Sequence, residues 1–138
     1  MQGFPDIVRP HRARSIRADI PAGFRAPSDA RQAVAPLLES LGPATRSAVA
    51  LVVSELVTNS VRHSTAGAGA PIALEACVED DRVRLTVRDG GQGFDAARHA
   101  PEAGMLGGWG LRLVDDLVDR WWVEVGDGTT VTCELTAA

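Results

Sequence analysis

The longest stretch with a helical pattern constrains the fold of this chain most. It starts at Pro43, runs to about His63 and is followed by the Gly- and Ala-rich segment 65–71. Proline is favoured at the first helical position and glycine-rich segments end helices, so the pattern predicts one long helix. Its buried face would be formed by Val49, Val53, Leu56 and Ser60. Such an amphipathic helix needs another layer of structure to cover its apolar side.

Shorter periodic segments supply that layer. Alternating apolar residues predict strands at 14–20, 72–78, 83–87, 121–125 and 131–135, and 3.6-residue periodicity predicts further helices at about 29–40 and 109–119. Ser28 is the expected N-cap of the first helix, and residues 79–82 are the expected turn of a hairpin. The order β-α-α-β-β-loop-α-β-β, with strands joined by short turns, indicates an α+β fold. We expect a two-layer α/β sandwich with helices on one face of the sheet.

The size and composition of the chain limit its class. A length of 138 residues suits one domain at 14–138, preceded by a flexible arm at 1–13. A net charge of −4 argues against direct binding of nucleic acid, which usually requires a basic surface. The sequence contains neither a long apolar run nor a signal peptide, so we expect a cytoplasmic protein without membrane contact. Cys77 and Cys133 fall in the predicted strands and are expected to be buried, reduced thiols.

The complete absence of lysine excludes several active sites. All fourteen basic residues other than histidine are arginine. A Walker A loop and a eukaryotic-type protein kinase each require a lysine on the phosphates of ATP, and Schiff-base chemistry also requires one. Any phosphate site in this chain must therefore use arginine, backbone N–H groups or a metal ion.

A narrow polar stripe follows the C-terminal half of the long helix. With Glu55 set at zero, a rotation of about 100° per residue places Asn59 near 40° and Arg62 near −20°. A carboxylate, an amide and a guanidinium therefore share one edge beside the buried face. This combination suits a site for phosphate and a metal ion. The plainer interpretation is a solvated helix edge with an i,i+4 pair.

Two glycine clusters follow. The sequence DGGQGF at 89–94 comes directly after a predicted strand, where glycines allow a sharp turn and close approach of a ligand. The sequence GGWG at 107–110 opens a predicted helix, whose first N–H groups can bind an anion. The intervening segment, 94–106, has the length of an active-site lid. Taken singly, the clusters are also explained by an ordinary turn and by a hinge before a helix.

The order and spacing of these motifs resemble a known family. SELVTNSVRHS, then DGGQGF about thirty residues later, then GGWGLRLVDDLVD and finally GTTV are similar to the motifs of the GHKL, or histidine kinase-like, ATPases. The resemblance covers about residues 30–136 and is greatest to the stand-alone serine kinases that act as anti-sigma factors. It implies the ATP-binding sandwich of that family, with a mixed, mostly antiparallel sheet.

The resemblance also implies roles on the phosphate side of an ATP site. Asn59 would hold Mg²⁺ against the phosphates, and Glu55 would be the catalytic base that orients a hydroxyl group or water. Arg62 occupies the position where a basic residue often ends the motif. The phosphate-side residues are completed by Gly108, Gly110 and Leu111 in the second glycine cluster and the helix that follows it.

On the adenine side, Asp89 would accept a hydrogen bond from the exocyclic amine. Gly91 and Gly93 would shape the pocket, and either Thr129 or Thr130 would support the base. The implied partners are a sigma factor and a small anti-anti-sigma antagonist protein, with a homodimer as a further possibility.

Three functions stay open at this point. The leading one is a protein serine kinase that transfers phosphate to the antagonist protein. A histidine-kinase catalytic module usually carries asparagine where Glu55 stands, and only about 28 residues precede the first predicted helix, too few for its acceptor segment. A nucleotide-gated binding module without phosphotransfer would not need Glu55 as a base, but the short lid and the bulky Trp109 are compatible with it.

Overall fold

The computed structural model describes residues 13–63, 71–90 and 109–137. Its elements, in chain order, are β1 Ala13–Pro21, α1 Ala26–Leu38, α2 Pro43–His63, β2 Pro71–Glu79, β3 Arg82–Asp89, α3 Trp109–Leu117, β4 Arg120–Val125 and β5 Thr129–Thr136. The predicted order of strands and helices is confirmed, and α2 has the bounds that the sequence predicts.

The five described strands form one sheet in the order β1-β2-β3-β5-β4. Each described pair of neighbours is antiparallel, so this sheet is not mixed as the resemblance implies. The three described helices lie on one face, because the core residues of the strands occupy alternate positions on a single side of the sheet. The predicted α+β sandwich with its helices on one face is therefore confirmed. Among the described residues, no helix has the length and apolar character needed to cross a membrane.

Helix α1 begins earlier than predicted, and the expectation that Ser28 caps it is wrong. The N-cap is Arg25, which makes no side-chain capping bond. The N–H of Ala26 already donates to the carbonyl of Gly23 at 3.1 Å. Pro27 favours an early start, because its fixed φ suits a helix and its missing N–H is not needed in the first turn.

The far end of α1 is also two residues shorter than predicted. The N–H of Leu41 bonds back to the carbonyl of Leu38 at 2.9 Å and tightens the chain before the next helix. Arg14 of β1 donates to the carbonyl of Leu37 at 3.1 Å and to the hydroxyl of Ser40. These bonds satisfy acceptors that the end of a helix leaves without partners.

Helix α3 ends at Leu117 rather than at 119 for a similar reason. The N–H of Val118 makes a final helical bond to Val114, but the N–H of Asp119 donates to the carbonyl of Glu134 in β5 at 2.8 Å. The chain therefore joins the sheet two residues before the predicted end of the helix.

The predicted turn at 79–82 between β2 and β3 is confirmed. Glu79 and Arg82 pair within the ladder, so only Asp80 and Asp81 form the connection. Asp80 has a φ of 54°, a left-handed conformation that aspartate tolerates better than most residues.

The core lies between the helices and one face of the sheet. Leu74, Val87 and Val131 form a buried row across three neighbouring strands, and Val49, Val53 and Leu56 of α2 are likewise buried in the core. Cys133 belongs to this face and is buried as predicted, and its burial raises the pKa of its thiol to about 12. Cys77 is only half-buried, contrary to prediction, because its position in β2 faces the other side of the sheet.

The opposite face of the sheet is polar. Arg84 and Arg120 both donate to the Glu134 carboxylate and lie over the ring of Trp122, at 6.0 and 5.1 Å from its centre. The two guanidinium groups lower the pKa of Glu134 from its usual value. Arg17 and Glu75 form a second, more exposed ion pair at 3.3 Å. This face therefore has the character of a solvated surface rather than a second core.

Candidate nucleotide site

The C-terminal half of α2 places the predicted polar stripe at the boundary of the core. Glu55 is half-buried, Asn59 is 4 % exposed and Arg62 is exposed. Asn59 therefore points away from solvent, and the interpretation of the stripe as a solvated helix edge is wrong for this residue. Val53, Leu56 and Val57 are fully buried on the adjoining face, so packing fixes this part of the helix.

The amide of Asn59 has an unusual environment. Its Nδ2 atom is buried and has no hydrogen-bond partner among the described residues. An unpaired buried polar atom costs about 1–3 kcal/mol, so such atoms are rare unless they serve a ligand. A half-turn of the amide exchanges its nitrogen and oxygen, so this position can present an N–H to a phosphate or an oxygen to a metal ion.

Hydrogen bonds also hold the helix turn before Glu55. Arg31 of α1 donates to the Ser54 hydroxyl at 2.7 Å, and that hydroxyl donates to the carbonyl of Ala50 at 2.8 Å. The contact links α1 to α2 one residue from the candidate base. Sequence reasoning missed it, because nothing in the pattern relates Arg31 to a serine twenty-three positions away.

Arg62 lies at the edge of a groove between the start of α1 and the end of α2. The groove has a volume of about 400 Å³, and its other lining residues are Gly23, Phe24, Pro27, Thr58 and Val61. The side chain of Phe24 is 94 % exposed there, a feature that the sequence did not single out. The guanidinium of Arg62 is therefore available to a ligand or partner rather than held by the core.

The second group of candidate residues lies where β3 ends and β5 begins. Asp89, the last residue of β3, pairs in register with Thr129, the first residue of β5. Both face the helices, since they continue the alternation of Val87 and Val131, and they are 3 % and 1 % exposed. The hydroxyl oxygen of Thr129 has no hydrogen-bond partner among the described residues.

The same register separates the two threonines. Thr130 pairs with Arg88, lies on the polar face of the sheet and lines a surface depression there with Arg17. It is therefore on the opposite side from Asp89, and of the two threonines left open by the sequence only Thr129 shares the face of that carboxylate.

Contacts between elements bring the two groups to one side of the sheet. Helix α2 packs against β3 and against α3. Gly110 and Leu111 lie in the first turn of α3, where N–H groups have no helical partners. Gly91, Gly93 and Gly108, together with the predicted lid at 94–106, lie outside the described residues.

Comparison with known proteins decides the family. Residues 20–135 match the family described as the histidine kinase-like ATPase domain. The chain belongs to this family. Among the described elements, the match leaves out only the first seven of the nine residues of β1 and the last residue of β5, so it concerns most of the sandwich rather than one motif.

Curated relatives of the chain include the serine-protein kinases RsbW. The RsbW of Listeria monocytogenes is 30 % identical over 93 residues, which cover 59 % of each protein. An RsbW of Staphylococcus epidermidis is 30 % identical over 95 residues, 59 % of this chain and 60 % of the relative. The chain thus spans about three-fifths of the length of the curated relatives it matches.

Solved structures show the same fold. The RsbU and RsbW domains of a Mycobacterium tuberculosis protein superpose with a TM-score of 0.69 at 22 % identity, covering 90 % of this chain and 32 % of that one. The SiaB–SiaC complex of Pseudomonas aeruginosa gives a TM-score of 0.59 at 12 % identity, covering 87 % and 88 %. A blue-light-activated histidine kinase of Erythrobacter litoralis gives 0.53 at 30 % identity, covering 66 % and 47 %.

Proposed function

We propose that this ATPase-family chain is a protein serine kinase that phosphorylates a small antagonist protein and otherwise sequesters a sigma factor. The proposal is carried by one observation: the half-buried carboxylate of Glu55 and the buried amide of Asn59 lie one turn apart on the same edge of α2. An amide atom without a partner is costly to a protein unless a ligand satisfies it. A carboxylate on the next turn adds a base at the same edge.

The adenine end of the proposed site is formed by Asp89 and Thr129. A buried carboxylate at the end of a strand suits the exocyclic amine of adenine, which donates a hydrogen bond. The hydroxyl of Thr129 beside it, which has no partner in the part of the chain that the structure describes, can donate to a ring nitrogen or accept a hydrogen bond from the same amine. Gly91 and Gly93 complete this end of the pocket in the proposal.

The phosphate end would be formed by Asn59, Arg62 and the start of α3. The donor set fits Mg²⁺, which prefers oxygen ligands, keeps several waters and is commonly held by few protein groups together with the phosphates. In the proposal Asn59 supplies such an oxygen, and the Nδ2 atom of the same amide has no hydrogen-bond partner among the described residues. Bound Mg²⁺ would neutralise phosphate charge during transfer. The remaining positive potential would come from Arg62 and from the N–H groups of Gly108 and Gly110, which flank the start of α3 with Leu111. The chain has no lysine that could supply it.

The role proposed for Glu55 is that of general base. The hydroxyl oxygen of a partner serine attacks the γ-phosphorus, the bond to the β–γ bridging oxygen breaks, and ADP leaves. Glu55 accepts the proton of the serine hydroxyl. Phosphoryl transfer depends mainly on position and charge, so a base oriented by a packed helix is sufficient.

The names of relatives support the choice of substrate. The curated relatives are called serine-protein kinases, and one structural neighbour is a complex of two proteins. We further propose a cytoplasmic location, a domain at 14–138 and partners that are proteins rather than nucleic acid. A homodimer stays a prediction.

The test is transfer of label from γ-labelled ATP with Mg²⁺ to candidate antagonist proteins encoded in the same genome. We expect one serine to be labelled, and Glu55→Gln to lower the transfer rate at least a hundredfold while MgATP affinity changes less than about threefold. Glu39→Gln, an exposed glutamate at the end of α1, is the matched control and should transfer at the rate of the unchanged protein. Binding of ATP and of a partner without transfer would instead support the gated binding module.

A further inference from the structure

The backbone around Gly128 makes an unusually close approach. Gly128 lies in the turn between β4 and β5 and is buried. A Cβ atom built on it would stand 2.2 Å from the carbonyl oxygen of Asp89 and 3.3 Å from the Cα of Gly90. Because φ at Gly128 lies outside the left-handed range, glycine is required here by space rather than by backbone conformation.

Neighbouring glycines differ in this respect. A Cβ on Gly126, two residues earlier in the same turn, meets no atom of the described residues within 4 Å, and neither does one on Gly90. The N–H of Gly126 donates to the carbonyl of Gly128 at 2.9 Å, so both glycines belong to one closed turn. The turn therefore contains one glycine that tolerates a methyl group and one that does not.

The close approach involves the two residues proposed to recognise adenine. The carbonyl that touches Gly128 belongs to Asp89, and the residue after Gly128 is Thr129, the register partner of Asp89. Real Cβ atoms essentially never come within 3.0 Å of a heavy atom, so a methyl group would force these backbones apart by at least 0.8 Å. Both side chains move with their backbones, and displacements of about 1 Å can reduce binding and catalysis by up to about a hundredfold.

We infer that Gly128 is a positioning residue for the nucleotide base: it allows the β4–β5 turn to close on the end of β3 and so sets the spacing of Asp89 and Thr129. This inference rests on the proposed function, in which those two side chains bind adenine. Gly128 itself touches the backbone of Asp89 and acts on the base only through its neighbours. The sequence GTTV at 128–131 is one of the motifs that carry the family resemblance, but the sequence alone assigns Gly128 no role in the site.

The test measures MgATP affinity of the full chain by calorimetry for the unchanged protein, Gly128→Ala, Gly126→Ala, Asp89→Asn and the double variant of Asp89 and Gly128. We expect Gly128→Ala to weaken binding at least about tenfold and Gly126→Ala less than about twofold. When Asp89 is already asparagine, adding Gly128→Ala should weaken MgATP binding by less than about threefold, because the glycine acts on the nucleotide through Asp89. A purely structural effect would be equal in both backgrounds.

The possible failures are distinguishable. If Asp89→Asn binds MgATP like the unchanged protein, the proposed adenine site is itself wrong. If Asp89→Asn weakens binding but Gly128→Ala does not, or if the cost of Gly128→Ala is the same in both backgrounds, the positioning role is overturned and the proposed function stands.

A measurement on the unchanged protein decides the matter if Gly128→Ala does not fold. Adenosine is titrated into isotope-labelled protein, and the amide resonances of Asp89, Gly128 and Thr129 are followed. We expect the three resonances to shift together with one saturation curve. Resonances at Gly128 and Thr129 that do not respond to adenosine would overturn the inference.

Discussion

Replacing Asn59 with alanine should make the protein more stable without nucleotide and less stable with it. The buried Nδ2 atom lacks a partner among the described residues, and relief of such an atom is worth about 1–3 kcal/mol. Alanine also favours a helix over asparagine by about 0.5 kcal/mol. Loss of the packing of the amide costs about 1 kcal/mol. The net expectation is a gain of about 0.5–2.5 kcal/mol in the free energy of unfolding, or about 2–8 °C in melting temperature.

MgATP should reverse this order. A ligand present at a hundred times its Kd stabilises the folded state by about 2.7 kcal/mol, which is about 9 °C for a chain of this size. The unchanged protein should gain this shift, whereas Asn59→Ala should gain almost none because it lacks the oxygen proposed to hold Mg²⁺. The two melting curves, recorded by calorimetry with and without MgATP, should therefore exchange places.

Ser47→Ala is the matched control, since Ser47 is an exposed residue of the same helix. It gains helix propensity without removing a buried polar atom, so it should raise the melting temperature by about 1–2 °C and keep the full MgATP shift. The reasoning is refuted if Asn59→Ala is less stable than the unchanged protein without nucleotide, or if MgATP stabilises both proteins equally.

Three further predictions concern the sheet and its thiols. Burial raises the pKa of the Cys133 thiol to about 12, so the neutral thiol stabilises the fold below its ordinary pKa near 9. This contribution to the free energy of unfolding should be lost between pH 9 and 12. In denaturation curves recorded across that range, Cys133→Ala should lose less stability than the unchanged protein. A thiol reagent at pH 8 should label half-buried Cys77 quickly and Cys133 only on unfolding, as mass spectrometry would show. Glu134→Gln should lower the free energy of unfolding in urea by less than about 1 kcal/mol, because both guanidinium partners are largely exposed. Because the pKa of Glu134 is lowered in the folded state, the stability that this carboxylate contributes should decrease as the pH falls below the ordinary pKa of a glutamate. These expectations would be contradicted if both thiols were labelled at the same rate, or if Cys133→Ala lost as much stability between pH 9 and 12 as the unchanged protein. A loss of stability well above about 1 kcal/mol in Glu134→Gln would also contradict them.

Much of the fold is predictable because local periodicity and tertiary burial agree. Alternation at 72–78 and 83–87 places the buried face of the sheet correctly, and the apolar side of α2 is the side that packs. Helix ends are predicted less well, because hydrogen bonds between distant residues decide them. The N–H of Asp119 bonds to β5 rather than within α3, and the pattern around 119 contains no sign of it.

The candidate site is predictable in its residue types but not in its geometry. Helical angles place Glu55, Asn59 and Arg62 on one edge, yet the burial of Asn59 depends on neighbouring elements that the angles do not include. Register alone separates Thr129 from Thr130, and register is set by the pairing of β3 with β5. The need for glycine at Gly128 likewise arises from a contact with a residue thirty-nine positions earlier.

The most direct test of the account is a calorimetric titration of the unchanged protein with ATP, first with Mg²⁺ and then with a chelator in place of the metal. We predict saturable binding at one site per chain, weakened at least about tenfold without Mg²⁺. No binding at millimolar MgATP, or the same affinity with and without the metal, would contradict the nucleotide site proposed around Asn59 and Asp89.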